Sequence, residues 1–341
     1  MKRILFSTGL ILIGVMAVAG YFAYGLLWKS NVSTPNGKPV EIYVGSNWTY
    51  DSLRQALDPY LITGPGFDQL ADQMNLRNKV IPGKYIIQNG WTNRRLIRHF
   101  RSGNQEQVVV LLKGSIDRRD IIRELSLKLE PDSTAFDAYI DTSSYLRSLE
   151  LNRENWPCLM MANTYFFHWA AKPDAVFKRF KSERDVFWTP ERMGKLNDLD
   201  LTINDVIVLA SIVDAETMFD SELPRIAGVY LNRLEKGWPL QADPTVRYIA
   251  HKAGRRRVLH VDLKVDNPYN TYKYRGLPPG PVLLPSVKAV DAVLNAESHD
   301  YMFFCAKPDL SGYHLFTASA RVHEQNAVNY HKALDARNIR E

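Results

Sequence analysis

The sequence predicts an α+β protein with a single N-terminal transmembrane helix, a small α+β domain and a larger mixed α/β domain. Three observations carry this prediction: an uncharged apolar run near the start, alternating strand and helix patterns in residues 39–108, and a long apolar helix pattern in residues 201–219. The chain has 341 residues, 45% of them hydrophobic, which is enough for two packed cores. The predicted boundaries are 1–30 for the anchor, 31–38 for a linker, 39–108 for the small domain and 109–341 for the large one.

The first 30 residues are predicted to anchor the protein in a membrane. Lys2 and Arg3 precede residues 4–28, which carry no charged side chain. At about 1.5 Å per residue, this run can cross a hydrocarbon core of roughly 30 Å. A cleaved signal peptide is the alternative, because residues 17–19 (AVA) resemble a cleavage site, but the chain stays apolar and aromatic through Trp28. The basic start favours a single-pass protein of the cell inner (cytoplasmic) membrane, with the folded part on the periplasmic or extracytoplasmic side.

Residues 31–38 have the composition of a linker, and two strand-plus-helix patterns follow it. The first is a strand at 39–44 and a helix capped by Thr49 or Ser46. The second is a strand from 83, a helix capped by Thr92 and a stop at Gly103, with Leu96, Ile97 and Phe100 facing inward. One more buried strand is predicted at 106–115. From about 116 to 200 the pattern is mainly helical, with an aromatic-rich interruption at 156–170.

Charge and cysteine content limit the classes of partner. The net charge of +6 permits nucleic acid, an anionic membrane surface or an anionic polymer, and an exported location argues against nucleic acid. A short basic cluster stands at 255–257. Cys158 and Cys305 are too few for a disulfide framework, and whether they pair is left open.

The helix pattern at 201–219 contains an acid where apolar residues are expected. Thr202 is the predicted N-cap, and Asp205 follows three residues later. Glu216 stands three residues after Val213, so it extends the buried side of the helix. Asp214 lies about 200° away around the helix axis, so the two acids do not form a facing pair.

A carboxyl group beside apolar neighbours loses hydration in its charged form, which raises its pKa. A group that keeps its proton near neutral pH is suited to general acid catalysis. The alternative is structural: Glu216 begins the polar end of the helix and pairs with an arginine. The later segments favour a cleft, because polar residues stand beside turn-forming Pro and Gly. Tyr269, Tyr272 and Tyr274 either present ring faces to sugars or simply pack.

At this point the sequence resembles the YceG-like family of membrane-anchored endolytic murein transglycosylases. Five segments carry the resemblance by their order and spacing: ASIVDAET (210–217), VYLNRL (229–234), LQADPTV (240–246), YNTY (269–272) and GLPPGP (276–281). With an anchor and a LysM-like module at 39–108, the resemblance covers nearly the whole chain. The chain departs from the family pattern at residues 162–165, at Asp214 and at Glu324.

The resemblance implies one catalytic residue and a set of substrate contacts. The catalytic acid of the family falls on Glu216. The implied substrate-binding residues are Gln241, Asp243, Thr245, Asn270, Tyr272 and His314, the last by a loose match. The resemblance implies neither a cofactor nor a metal. The histidines His314, His323 and His331 are expected on different elements, which makes a metal hydrolase a poor fit.

The implied activity is that of a lytic transglycosylase, which cleaves the bond between N-acetylmuramic acid and N-acetylglucosamine in nascent peptidoglycan strands and leaves 1,6-anhydro ends. The expected partners are peptidoglycan glycan strands, the inner membrane and peptidoglycan synthesis enzymes, with the protein ending strand polymerisation. Two alternatives stay open: a catalytically silent scaffold that binds the wall, and a hydrolytic muramidase.

Overall fold

The computed structural model of the protein describes residues 2–114, 117–252 and 261–337. The α-helices of this part are α1 (Lys2–Leu27), α2 (Tyr50–Leu57), α3 (Gly64–Gln73), α4 (Asn93–Ser102), α5 (Arg118–Lys128), α6 (Ser133–Thr142), α7 (Ser144–Ser148), α8 (Pro173–Phe187), α9 (Pro190–Asn197), α10 (Ile203–Glu216), α11 (Leu223–Glu235), α12 (Asp243–Lys252), α13 (Val287–Leu294) and α14 (Ala320–Ala336). The strands are β1 (Val40–Val44), β2 (Gly83–Ile87), β3 (Gln107–Leu112), β4 (Asn163–His168), β5 (Phe303–Ala306) and β6 (His314–Thr317).

The strands pair two by two, as β1 with β2, β3 with β4, and β5 with β6. The chain divides into two compact units. Unit 1 consists of Met1–Val109, Ser126–Asp132 and Phe166–Lys172, and unit 2 of Val110–Leu125, Ser133–Tyr165 and Pro173–Glu341. The predicted mixture of helices and strands is therefore present.

The predicted membrane-spanning helix is wrong. Although α1 is 26 residues long, no helix in the described ranges is both long enough and apolar enough to cross a membrane. The absence of charge in residues 4–28 was the basis of the prediction, whereas Leu26 and Leu27 at the end of the helix pack against the core of unit 1. The predicted single-pass location in the inner membrane depended on this helix and is corrected with it.

Unit 1 has its core between the β1–β2 pair and helices α2, α3 and α4. The two strands are antiparallel, with Val40 opposite Ile87 and Val44 opposite Gly83. Leu96, Ile97 and Phe100 are fully buried, as predicted. The predicted caps are also confirmed, because Thr49 accepts from the Ser52 N–H, Thr92 accepts from the Arg95 N–H, and Gly103 ends α4 in the left-handed region.

Unit 2 is built around α10. The Thr202 side chain accepts from the Asp205 N–H at 3.1 Å, and the Asp205 carboxylate accepts from the Thr202 N–H at 3.0 Å, so the predicted capping box is confirmed. Eight consecutive residues, 206–213, are buried. Helices α11, α12 and α13 pack against α10, so it is enclosed on all sides rather than along one stripe.

The rest of unit 2 completes the wall on which the site is built. The β5–β6 pair is antiparallel, with Phe303 opposite Thr317 and Ala306 opposite His314, and α14 packs against both strands. Gly228 on α11 lets the Glu297 carbonyl and the His299 ring approach closely, since a Cβ there would lie 2.4 Å from the Glu297 carbonyl oxygen and 2.7 Å from Nε2 of His299.

Three smaller predictions also have an outcome. The strand predicted as buried at 106–115 is β3, and it is only half buried, because Val109 and Leu111 are exposed while Val110 and Leu112 are not. Cys158 and Cys305 are free thiols, and burial raises the pKa of Cys158 to about 12. The basic cluster at 255–257 lies outside the described residues.

Candidate active site

Glu216 is the last residue of α10, at the point where the buried helix meets a cleft. The next residue, Thr217, is already extended, with φ −142° and ψ 150°. The side chain of Glu216 is only partly exposed. The rigid, buried helix therefore fixes the position of a carboxyl group at the rim of the unit's core.

Tyr230 of α11 donates its phenol hydrogen to Oε1 of Glu216. The pKa of the Glu216 carboxyl is raised to about 7, chiefly by burial and also by the negative charge of Asp243, against the lowering effect of the Tyr230 hydrogen bond and of the charges of Arg247 and Arg233. Near neutral pH this carboxyl can both give and take a proton. It has the pKa that the sequence argument expected, and for the expected reason.

The cleft has a volume of about 490 Å³, which is within the range of small-molecule sites. Elements α10, α11, β5, β6 and α14 contribute to its walls, together with the start of α12 and the loops on either side of it in the sequence. The polar residues that line it are Glu216, Tyr230, Arg233, Gln241, Asp243, Tyr272, His314, His323, Tyr330 and His331.

Arg233 holds two parts of this wall together. Its Nε donates to the Met302 carbonyl at 2.8 Å, and its Nη1 donates to the Leu240 carbonyl. The guanidinium is buried, with only 7% of the residue exposed. It thus places a fixed positive charge beside the Glu216 carboxyl.

The start of α12 and the loops on either side of it in the sequence bring three predicted residues into the cleft. Tyr272 donates its phenol hydrogen to Asp243, the first residue of α12. Gln241 has a φ of 47°, in the left-handed region that few non-glycine residues adopt, and its N–H donates to the Thr271 carbonyl at 3.1 Å. Strained backbone of this kind persists where surrounding contacts enforce it, and it is common at functional sites.

Two predicted substrate residues do not line the cleft. Thr245 is fully buried and bonds Ala242 O at 2.7 Å and Thr271 Oγ1 at 2.9 Å. Asn270 is also fully buried, and its Nδ2 donates to the carbonyls of Leu263 and Val265 at 3.0 and 2.9 Å. Both side chains shape the loops that carry Gln241 and Tyr272. They were predicted to contact the substrate, and they instead support the loops next to the cleft.

His314 lines the cleft through a contact that the sequence did not suggest. Its ring Nδ1 lies 2.8 Å from Oε2 of Glu222, and its backbone N–H donates to Oε1 of the same carboxylate at 2.8 Å. Glu222 is 5% exposed. Since a carboxylate only accepts, Nδ1 is the donor in this bond.

Asp214 has a different partner from Glu216. Its two carboxylate oxygens accept from the N–H of Ser286 at 2.8 Å and from its hydroxyl at 3.0 Å, just before α13 begins. Asp214 therefore links α10 to the start of α13, and the expectation that the two acids do not face one another is confirmed.

Tyr230, Arg233 and Glu222 were missed as functional candidates. Tyr230 and Arg233 belong to the VYLNRL segment and stand three residues apart on α11, which places them on one helix face. That spacing was the available signal. Glu222 gave no signal, because a buried acid next to a helix start cannot be told from an ordinary N-terminal charge before the His314 strand is in place.

The three histidines 314, 323 and 331 all line the cleft, although they lie on β6 and α14. The His323 ring stacks on Phe303 with 5.2 Å between ring centres. In the part of the chain that the structure describes, no group of three or more His, Cys, Asp or Glu residues is placed to hold a metal ion.

A model of the YceG-like family matches residues 42–329. Among curated proteins, an endolytic murein transglycosylase of Bacillus subtilis (strain 168) is 38% identical over 156 residues, which cover 46% of this chain and 41% of that protein. An endolytic murein transglycosylase of Streptococcus pneumoniae serotype 2 (strain D39) is 37% identical over 111 residues, 31% of this chain and 20% of that protein. The chain therefore matches less than half the length of these relatives.

Among solved structures, the 2.6 Å crystal structure of a putative yceG-like protein from Listeria monocytogenes is similar to this chain. Its TM-score is 0.55 at 20% sequence identity, and the match covers 84% of this chain and 98% of that one. This similarity concerns the fold.

Proposed function

The chain belongs to the YceG-like family, and on that premise we propose that it is an endolytic lytic transglycosylase of peptidoglycan. The observation that carries the proposal is the Glu216 carboxyl, fixed at the end of a buried helix in a cleft, bonded by Tyr230, with a pKa of about 7. The relatives from Bacillus subtilis and Streptococcus pneumoniae named as endolytic murein transglycosylases support it.

The proposed reaction needs one proton donor that becomes a proton acceptor. Protonated Glu216 gives its proton to the glycosidic oxygen between N-acetylmuramic acid and N-acetylglucosamine, and the C1–O bond breaks as positive charge develops at C1. The muramoyl C6 hydroxyl then attacks C1 and gives its proton to the Glu216 carboxylate. The product is a 1,6-anhydro end, no water is consumed, and Glu216 is again protonated. A hydroxyl of the substrate itself, held close, replaces a second reactant.

The neighbours of Glu216 suit this cycle. The Tyr230 hydrogen bond and the Arg233 charge favour the carboxylate that exists after the first proton transfer, while burial favours the acid that exists before it. We propose that Gln241, Asp243, Tyr272 and His314 bind the sugars, since all four line the cleft. We assign Thr245 and Asn270 to the support of these loops.

Residues 39–108 are proposed as a LysM-like module that holds glycan strands. Their support is a core of their own, formed by β1, β2 and helices α2 to α4. Strand termination beside peptidoglycan synthesis enzymes is the proposed setting, and it follows from the family resemblance.

Product analysis tests the reaction. Purified protein is incubated with isolated peptidoglycan, and the released ends are identified by mass spectrometry. Anhydro ends are one water lighter than reducing ends. Glu216→Gln should lower the rate by roughly 10² to 10⁴, the scale of lost general acid catalysis, with Glu235→Gln, an exposed acid outside the cleft, as the matched control.

Two results would replace the proposal by another. Reducing ends would identify a hydrolytic muramidase, for which Asp243 supplies the second carboxylate that most glycosidases need. Binding of peptidoglycan with no released ends would identify a scaffold. Wild-type activity in Glu216→Gln would remove Glu216 from the mechanism.

A further inference from the structure

A second concave surface lies within unit 1, beside α4. It encloses about 820 Å³, and we call it the α4 groove, defined by Met74, Lys79, Trp91, Arg95, Arg98 and Arg101. All of these residues belong to the small domain, and none of them takes part in the cleft of Glu216.

The α4 groove is strongly cationic. The described residues that line it include one acid, Glu106, and four basic residues, which are Lys79, Arg95, Arg98 and Arg101. Arg101 is held in place by its bond to the Met74 carbonyl at 2.9 Å. The side chains of Lys79 and Arg98 are exposed and bond no partner within the residues described. Unneutralised basic side chains that converge on a concavity attract an anionic ligand.

Trp91 gives a second, independent indication of a ligand. The residue lines the groove and is 7% exposed, and its indole Nε1 is buried with no hydrogen-bond partner in the described structure. The Arg95 guanidinium lies 4.6 Å from the ring centre, and the His99 ring packs against it edge-on at 5.0 Å. The indole N–H can only donate, so the wall of the groove contains a polar group that the described protein atoms leave unsatisfied.

The spacing of the arginines describes the ligand further. Arg95, Arg98 and Arg101 follow one another at three-residue intervals on α4, so they span about 9 Å along the helix axis. A ligand that engages all three carries more than one anionic group. Guanidinium forks match carboxylates in a two-bond geometry, and the apolar surface of Met74 and Ile86 in the same groove suits the uncharged body of a peptide better than it suits a bare ion.

We propose that the α4 groove binds an acidic peptide, namely the carboxylate-bearing peptide side chain of the peptidoglycan strand. The proposal rests on the proposed function, because it takes its ligand from the same polymer. It adds to that function a recognition site for the peptide rather than for the sugar. A strand with its peptides in place is then held by unit 1, and one stripped of them is not.

Direct binding tests this with the full chain carrying Glu216→Gln, so that turnover does not remove the ligand. The probes are a disaccharide–tetrapeptide from peptidoglycan, the same fragment with its carboxylates amidated, the peptide-free disaccharide, and inorganic phosphate. Affinity is measured by calorimetry, and the Trp91 indole resonance by NMR. We expect the acidic fragment to bind and to shift the Trp91 resonance, and we expect the other three probes to bind at least about tenfold more weakly.

Matched variants locate the site. Arg95→Gln and Arg98→Gln should each weaken binding roughly tenfold, the scale of a hydrogen bond to a charged group. Arg94→Gln removes the same charge from the same helix outside the groove and should change affinity less than twofold. Equal loss in Arg94→Gln, equal binding of the amidated fragment, or phosphate binding as tightly as the peptide would each overturn the proposal.

The binding assay reads no product, so its failure is separable from failure of the proposed function. Anhydro ends released by an enzyme that does not bind the acidic fragment would overturn the groove proposal and leave the reaction standing.

Discussion

Tyr230 and Glu216 share one hydrogen bond across two helices, with the α11 phenol donating to the carboxylate at the end of α10. Both residues are held by well-buried helices, so the bond is preorganised. It opposes the effect of burial on the pKa of Glu216, and the pKa near 7 reflects these two effects together with the charges nearby.

Tyr230→Phe should shift the pH profile of activity upward. The phenol bond lowers the pKa of Glu216, so its loss raises that pKa. The reaction begins with protonated Glu216, and activity therefore falls as pH rises through the pKa. We expect the alkaline limb of the rate profile to move to higher pH, measured as initial rates of anhydro-end release. Tyr330→Phe, which changes another tyrosine of the cleft, should leave the limb in place, and a downward shift in Tyr230→Phe would contradict this account.

Asp243→Asn should shift the alkaline limb of the rate profile to lower pH. The negative charge of Asp243 raises the pKa of Glu216, and asparagine removes the charge while keeping an oxygen that can accept from Tyr272. The opposite directions of the two variants distinguish electrostatic tuning from general damage to the site. Asp300→Asn, an exposed acid outside the cleft, is the control. If both cleft variants moved the limb in the same direction, the assignment of causes would be wrong.

Glu216 should also make folding stability depend on pH. The folded pKa of about 7 stands above the ordinary value of 4.5 for a glutamate, so between these values the folded state holds a proton that the unfolded state has released. Stability then falls as pH rises from 4.5 to 7. The full effect of this shift is about 3 kcal/mol. Glutamine does not titrate, so Glu216→Gln lacks this pH dependence. The free energy of unfolding of the variant minus that of wild type should therefore be higher at pH 8 than at pH 4. Urea unfolding at both values checks this, and a pH-independent difference would argue against it.

Asp214→Asn should affect stability rather than chemistry. The carboxylate accepts two bonds from Ser286, and an amide can accept only one of them while turning its NH₂ toward a donor. A cost of about 1 kcal/mol is expected, with the rate per folded molecule unchanged. Ser286→Ala keeps the backbone N–H but removes the hydroxyl's bond to Asp214 and the bond that the hydroxyl accepts from the Ala289 N–H, so it should cost at least as much. The double variant should cost less than the sum, because both changes remove the bond between the hydroxyl and the carboxylate. Additive costs would show that the two residues act separately.

Much of the local structure could be predicted from residue patterns. Thr49, Thr92 and Thr202 cap helices as expected, because a cap depends on a side chain and an N–H only two or three residues away. The N-terminal helix was predicted to span a membrane from its lack of charge, and that prediction is wrong, because no helix of the described residues is long and apolar enough to do so.

The cleft was predicted only in part. Gln241, Asp243, Tyr272 and His314 line it together with Glu216, whereas Thr245 and Asn270 lie buried behind its loops. Sequence adjacency does not distinguish a loop residue that faces the cleft from one that supports it, because the difference depends on which way the loop is folded back.

The sequence by itself determined that an acid stands at the end of an apolar helix, since the helical period and the order of residues fix that placement. Only the tertiary structure decided what surrounds the acid. Tyr230, Arg233 and Asp243 come from other segments, 14, 17 and 27 positions along the chain, and electrostatic effects on a carboxyl depend on distance in space and on burial. Neither quantity exists until α10, α11 and the start of α12 are packed together.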